Sequence, residues 1–311
     1  MTGPRSTYDW HSASPIIRRF LRALLAKASQ QATADALTLA AADPCFAPYR
    51  QKLATQARRA TTCAASTHIK LETPPGEPTR LTISNKRRCR GNVCVGCARQ
   101  RAAKQAKTAA ALLQIVREWE PNVPILMFTA TSANRPISEL RTMFQDHEAA
   151  LRRFWRSEKI AESFKGHVTS IETALRGSKE NPQAGVHSHS IVAAPDYFKL
   201  EAGRYLSQRQ LKAIWKASLR VSYDPIVDIR RLRGPGGDTD NLNSGIKEIT
   251  KYAFAPQKVF EKSPFGIRTD PTVIGHLAIT LYKRRTMRFG GLFALAKAEL
   301  KAREQTGDRD A

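Results

Sequence analysis

Two strand-like runs around a turn constrain this chain more than any other stretch. Gly166-His-Val-Thr-Ser-Ile-Glu-Thr-Ala-Leu175 alternates between apolar and polar side chains, as a half-buried strand does. Gly177 to Gly185, with Asn181-Pro182 inside, is turn chemistry. Val186-His-Ser-His-Ser-Ile-Val-Ala-Ala194 then reads as a second strand. Two strands joined by a loop of that length are expected to pair antiparallel, as a hairpin. Residues i and i+2 of a strand point to the same face, so His187 and His189 present two imidazoles side by side. That is a natural pair of metal ligands, although a His-x-His pair also arises without a metal. Folding the hairpin about residue 180 or 181 lays Glu172 across from His189, either as a third, oxygen ligand or as a solvent-facing strand residue.

The charge balance narrows the partners. Lysine and arginine number 51 against 27 acidic residues, a net charge of +24, and the isoelectric point is near 10.3. An excess of that size points to a polyanion. The basic residues are spread along the chain rather than gathered beside one apolar helix, which favours nucleic acid over a membrane surface. No segment approaches the roughly 18 apolar residues of a membrane span, and the first ten residues hold no apolar core of the signal-peptide kind. The expectation is therefore a cytoplasmic protein with reduced cysteines, where clustered cysteines serve as metal ligands more readily than as disulfides. At 311 residues, 41% hydrophobic and 25% charged, the chain has the composition of a soluble globular protein with one large domain or two ordinary ones.

Residues 1–60 read as a helical, Ala-rich segment. Ile16, Ile17, Phe20, Leu21, Leu24 and Leu25 recur at helical spacing with Arg18, Arg19 and Arg22 between them. They form either a DNA-facing amphipathic helix or a packing helix with a solvated basic face. Residues 61–107 form a basic, cysteine-rich module containing Cys63 and Cys89-Arg-Gly-Asn-Val-Cys94-Val-Gly-Cys97, with Cys45 standing apart. The two-residue gap between Cys94 and Cys97 lets both thiolates reach one tetrahedral zinc. Cys89 and Cys63 can complete a four-sulfur shell, and His68 is a substitute for Cys63. No thioredoxin-like pattern surrounds this pair. The choice is between structural zinc, which would fold a module with too small an apolar core, and unliganded cysteines. Lys86, Arg87, Arg88 and Arg90 precede the knuckle and Arg99, Arg101 and Lys104 follow it, with no acid among them.

Residues 108–300 carry the hairpin. A helix over 104–119, a buried strand over 124–132 and a long helix opened by Asn134-Arg135-Pro136 lead into it. A helix over 205–219, a strand over 225–232 and a flexible Gly-, Asp- and Asn-rich loop over 234–245 follow. Residues 246–252 are expected to be helical, so that Glu248 and Tyr252, at i and i+4, share a face with Lys251 at its edge. That turn is either plain surface or a base, a nucleophile and a phosphate-binding cation. Residues 301–311 are a polar tail.

In this order the stretches resemble the replication initiator proteins of rolling-circle plasmids, within the HUH endonuclease superfamily. Phe128-Thr-Ala-Thr-Ser-Ala-Asn134 looks like the first motif strand, Val186-His-Ser-His-Ser-Ile-Val192 like the His-x-His metal motif, and Glu248-Ile-Thr-Lys-Tyr252 like the nucleophile motif. Segments between Asp196 and Asp228 are similar to the family's connecting segment, Arg285-Thr-Met-Arg-Phe-Gly-Gly-Leu-Phe293 to its closing segment, and the cysteine cluster to an upstream segment of many members.

The resemblance implies an α+β fold. A central antiparallel sheet would carry the histidines on a central strand with helices on one face, the other one, preceded by a helical and cysteine-rich, zinc-binding-like region. It implies a strand-nicking enzyme acting at a plasmid origin, on a single-stranded or hairpin nick site. His187, His189 and Glu172 would hold Mg²⁺ or Mn²⁺. Tyr252 would attack the scissile phosphate, leaving a 5′-phosphotyrosyl link and a 3′-hydroxyl primer, with Lys251 assisting and Glu248 activating water for release. A host helicase and polymerase would be partners, and Lys86 to Lys107 would grip phosphates, so that affinity falls with salt. Two positions depart from the family pattern: Ser188 replaces a bulky apolar residue, and Ala255 stands where a lysine usually follows the tyrosine by three, leaving Lys251 or Lys258 as substitutes. A relaxase or transposase would use the same chemistry on different DNA, and a non-catalytic DNA-binding regulator would keep the zinc module alone. The connecting segment favours the replication initiators.

Overall fold

The computed structural model describes residues 14–63, 67–73, 75–76, 79–85, 88–178, 180–232, 238–250, 259–263 and 266–306. The chain divides into two compact units, Met1–Cys97 with Phe260–Gly275, and Ala98–Val259 with His276–Ala311.

Helix α1 (Pro15–Ala42) starts where Ser14 Oγ accepts the Ile17 N–H at 3.3 Å and Pro15 presets the first turn. Its alanine-rich second half packs on α2 (Arg50–Thr61), burying Ala34, Leu37 and Ala40 of one helix and Leu53, Ala57 and Ala60 of the other. Gln30 Nε2 donates to the Ala60 carbonyl at 2.8 Å, tying the pair. In the apolar stripe of the first half, Ile17 and Leu24 are exposed and Leu25 is half-buried, while the side chains of Ile16, Phe20 and Leu21 lie outside the described residues. Strands β1 (Thr67–Glu72) and β2 (Arg80–Asn85) form an antiparallel hairpin that the sequence reading does not anticipate.

Helix α3 (Val95–Trp119) follows, then β3 (Ile125–Thr131), β4 (Arg135–Pro136), α4 (Leu140–Arg156) and α5 (Glu158–Ser163). Next come β5 (Gly166–Gly177), β6 (Pro182–Ala193), α6 (Gln208–Leu219), β7 (Val227–Arg231) and α7 (Asp238–Ile249). The hairpin β8 (Phe260–Ser263) and β9 (Gly266–Thr269) belongs to the first unit, and α8 (Pro271–Leu281), β10 (Met287–Gly291) and α9 (Leu292–Thr306) close the chain. Helix α7 starts eight residues ahead of Ile246, inside the stretch expected to be a flexible loop. Residues 233–237 of that loop lie outside the described residues. Helix α9 runs to Thr306, so the expected tail is helical through that residue, with Arg303 paired to Glu299 and Glu118. No helix among the described residues is long and apolar enough to cross a membrane.

The main sheet is antiparallel in the order β10-β5-β6-β3-β7, with β4 also pairing β6. The histidine strand β6 is therefore central. On the face away from the histidines, Phe128 stacks on Phe154 at 4.9 Å and meets Trp155 edge-on at 6.1 Å. Trp215 of α6 is fully buried, and its Nε1 donates to the Thr131 carbonyl at 2.9 Å. That face carries α4 and α6, as expected. The histidine face is covered as well, over half its length: α3, α7 and α9 bury Leu112, Val116, Ile249 and Phe293 against Ile125, Met127, Ile191 and Ala193. Along β6 this face reads Ala193, Ile191, His189, His187, so the helices seal the apolar half and the polar half is left for a site. Buried Glu148 of α4 takes both Arg284 and Arg288, which anchors the closing segment beside β5. The outer strand β7 exposes Asp228, Arg230 and Arg231.

Candidate functional site

The site is set by the register of the β5–β6 hairpin. Gly177 adopts φ +78°, and a Cβ there would sit 2.3 Å from the Asn181 carbonyl oxygen, so the turn requires glycine. Gly177 pairs with Pro182, which centres the turn between residues 179 and 180. Glu172 consequently lies opposite His187, and His189 lies opposite Ser170. This corrects the expected pairing of Glu172 with His189 by two residues. A shift of two preserves the face, so Glu172 still points to the side of both histidines.

The three side chains converge. Glu172 Oε2 is 3.4 Å from His187 Nε2 and 3.6 Å from His189 Nε2. One donor atom from each residue lies within 4.8 Å of the others, and all three residues are half-buried. Two imidazole nitrogens and a carboxylate oxygen at that spacing are a donor set that a divalent cation fits. The imidazoles meet edge-on at 5.1 Å. Glu248, near the end of α7, brings Oε1 to 3.5 Å from His189 Nε2. Helix α7 ends at Ile249, with Thr250 N–H still bonded to the Ile246 carbonyl at 3.1 Å. Lys251, Tyr252, Ala255 and Lys258 lie outside the described residues, so the shared helical face expected for Glu248 and Tyr252 is described only as far as Thr250.

Three further residues support this strand from β3 and from behind. Thr129 Oγ1 lies 3.1 Å from His189 Nδ1. Ser132 Oγ lies 2.7 Å from Nδ1 of His147, a fully buried histidine whose ring meets Trp215 edge-on at 5.1 Å. Burial, then the nearby His187, depress the His147 pKa to about 3, so it is neutral at physiological pH. Sequence reasoning places Thr129 and Ser132 in the first motif stretch without giving either a role, and does not single out His147. The available signal is the change from apolar to polar at Thr129 and Thr131, both on the histidine face of an otherwise apolar strand. Ser188 points the other way and is fully buried, its hydroxyl donating to the Ala130 carbonyl at 3.4 Å.

In the other unit, four cysteines meet. Cys63 Sγ lies 3.8 Å from Cys94 Sγ and 3.5 Å from Cys97 Sγ, and Cys89 Sγ lies 3.5 Å from Cys97 Sγ. The group is a second cluster with metal-ligand spacing, and Cys63, Cys94 and Cys97 are buried. Arg90 takes the left-handed φ of 55°, and the Gly91 amide donates to Cys89 Sγ at 3.4 Å. Bonds from Cys89 and Cys94 lower the Cys63 thiol to about 7, and bonds from Cys63, Cys89 and Cys94 lower that of Cys97. The neighbouring sulfurs, Cys63 first, and burial raise the Cys94 thiol. Cys45 is exposed and apart. Of the basic residues flanking the knuckle, Arg90 and Arg99 are exposed, Arg88 and Arg101 are half-buried, and Lys86 and Arg87 lie outside the described residues.

A family model for replication proteins matches residues 80–311. The chain belongs to the replication protein family. This is the family of rolling-circle plasmid initiators that its ordered motifs resemble. Relatives of this replication protein include Protein rep of Streptococcus pneumoniae serotype 2, 27% identical over 205 residues, which are 66% of this chain and 61% of that protein. Protein rep of Bacillus amyloliquefaciens is 24% identical over 275 residues, 84% of this chain and 77% of that protein. A replication protein of Staphylococcus aureus is 27% identical over 179 residues, 57% of this chain and 74% of that protein. The match to the pneumococcal relative thus spans less than two thirds of that protein's length. No solved structure matches the chain.

Proposed function

We propose that this replication protein initiates rolling-circle replication of a plasmid by nicking one strand of the origin with Tyr252. The observation that carries the reading is the His187, His189 and Glu172 cluster with Glu248 at 3.5 Å from His189, four residues before the tyrosine. His187, His189 and Glu172 would hold a hard divalent ion, Mg²⁺ or Mn²⁺, which when bound supplies positive charge to the oxygens of the scissile phosphate. The Tyr252 oxygen attacks phosphorus, the bond to the 3′ oxygen breaks, and the 5′ phosphate remains on the tyrosine. The departing 3′ oxygen takes up a proton and is left as a hydroxyl, ready for extension by a host polymerase. Ionising a phenol of pKa near 10 at pH 7 costs about 4 kcal/mol, which makes a cation such as Lys251 useful beside Tyr252. Glu248 would act as base for the water that releases the finished strand. The covalent link conserves the phosphodiester, so rejoining needs no nucleotide.

A structural zinc at Cys63, Cys89, Cys94 and Cys97 belongs to the same reading. Zinc–sulfur bonds of about 2.3 Å in a tetrahedron set sulfur–sulfur edges of about 3.8 Å, close to the 3.5–3.8 Å measured here. Lys86, Arg87, Arg88, Arg90, Arg99 and Arg101 are the proposed phosphate contacts to origin DNA, with a host helicase as a further partner in the cytoplasm. In this reading residues 1–60, 61–107, 108–300 and 301–311 are the helical segment, zinc module, nicking domain and tail. The test is a labelled single-stranded origin oligonucleotide incubated with Mn²⁺ and the full chain. A covalent adduct mapping to Tyr252 is expected, and Tyr252→Phe should abolish it while leaving binding nearly intact. An adduct formed by that variant would sink the assignment.

A further inference from the structure

We infer that Thr129 is the positioning residue of the metal-facing histidine pair, fixing the His189 ring with Nε2 turned toward the Glu172 carboxylate. The inference rests on the reading of His187, His189 and Glu172 as cation ligands. Strand pairing places Thr129 directly opposite His189. Its Oγ1 holds Nδ1 at 3.1 Å, while Nε2 across the ring lies 3.6 Å from Glu172 and 3.5 Å from Glu248. The two nitrogens are thereby separated by role: one is held by the sheet and the other is presented to the carboxylates.

A hydroxyl suits this position because it both donates and accepts. It accepts from Nδ1–H when Nε2 offers its lone pair to a cation, and it donates to bare Nδ1 when Nε2 carries the proton toward a carboxylate. The ring keeps one orientation in both states. A metal-ligating histidine commonly depends on such a partner at its second nitrogen. Thr131, which lies opposite His187, does not serve the same purpose. Its hydroxyl donates to the Ile226 carbonyl and accepts the Ile226 N–H, both at 3.2 Å, holding the entry to β7. His187 instead packs edge-on against His189, with an interplanar angle of 81°. Fixing one ring therefore restricts the other, and Thr129 acts on the pair.

The test is Mn²⁺ affinity of the full chain, followed by electron paramagnetic resonance. Thr129→Val keeps the β-branched shape and removes the hydroxyl. It should weaken Mn²⁺ binding about tenfold or more, in the range typical of lost ligand support. Thr129→Ser should bind within about twofold of the unchanged chain, and Thr129→Ala, which differs from serine in the hydroxyl alone, should fall with the valine variant. Val and Ala variants that bind Mn²⁺ as tightly as the serine variant would overturn the inference while leaving the cation site standing. Binding that survives His187→Ala together with His189→Ala would remove the cation reading itself, and this inference with it.

Discussion

Ser188 stands between two histidines that face one way while it faces the other. Its neighbours on the same row of the sheet are Ile171 and Ala130, and it is fully buried. The serine is thus a packing residue of the far face, matched in size to its place, and points away from the His187, His189 and Glu172 cluster. Ser188→Leu adds volume to a closed layer and should cost about 1–3 kcal/mol of stability. Calorimetry should show a lower melting temperature while Mn²⁺ affinity is unchanged, and a parallel loss of affinity would contradict this account. At this scale the sequence is informative about side-chain direction and less so about register. His187 and His189 share a face by the pleat alone, and so does Glu172, but which histidine it opposes depends on the turn. Gly177, with its left-handed φ, decides that, and composition alone does not distinguish a turn centred near 179 from one a residue later.

Among the elements, those with strong periodicity were the legible ones. Helix α4 and strands β3, β5 and β6 lie where their patterns place them, because each buries a continuous apolar face. Helix α7 was obscured by its Asp, Asn and Gly content, since its stability comes from Ile246 and Ile249 packing on the sheet rather than from propensity. The β1–β2 and β8–β9 hairpins are short, and pairing between strands is a non-local property that short windows do not carry. The four cysteines converge from a turn after α2, a loop after β2 and the start of α3, so their common centre depends on the fold of that whole module. A metal holding them would do so against a small apolar core. The chain should therefore contain about one zinc per molecule. Cys94→Ser should lose it and melt at a lower temperature; full zinc content in that variant, measured by atomic absorption, would refute the site.

Across the whole molecule, acid should weaken the fold through two histidines, His147, fully buried, and His167, half-buried. Burial holds His147 near pKa 3 and His167 near 4, the latter stacked on Trp155 at 3.9 Å. An unfolded histidine titrates near 6.5. Below that pH the unfolded chain takes up protons that the folded chain refuses, so stability is full above about 6.5 and declines as pH falls toward 4 and then 3. Each histidine contributes about 1.4 kcal/mol per pH unit over its window. His167→Phe should flatten the fall in melting temperature between pH 7 and 5, and parallel curves for variant and unchanged chain would count against the assignment. The outer strand β7 has a different consequence, for crowding. An open sheet edge is a template for another strand, and among the described residues nothing pairs with the outer side of β7. Here that edge is five residues long, and three of them, Asp228, Arg230 and Arg231, are exposed charges. A short edge strand that carries exposed charges is a poor template for a strand of a second molecule, which limits edge-to-edge aggregation.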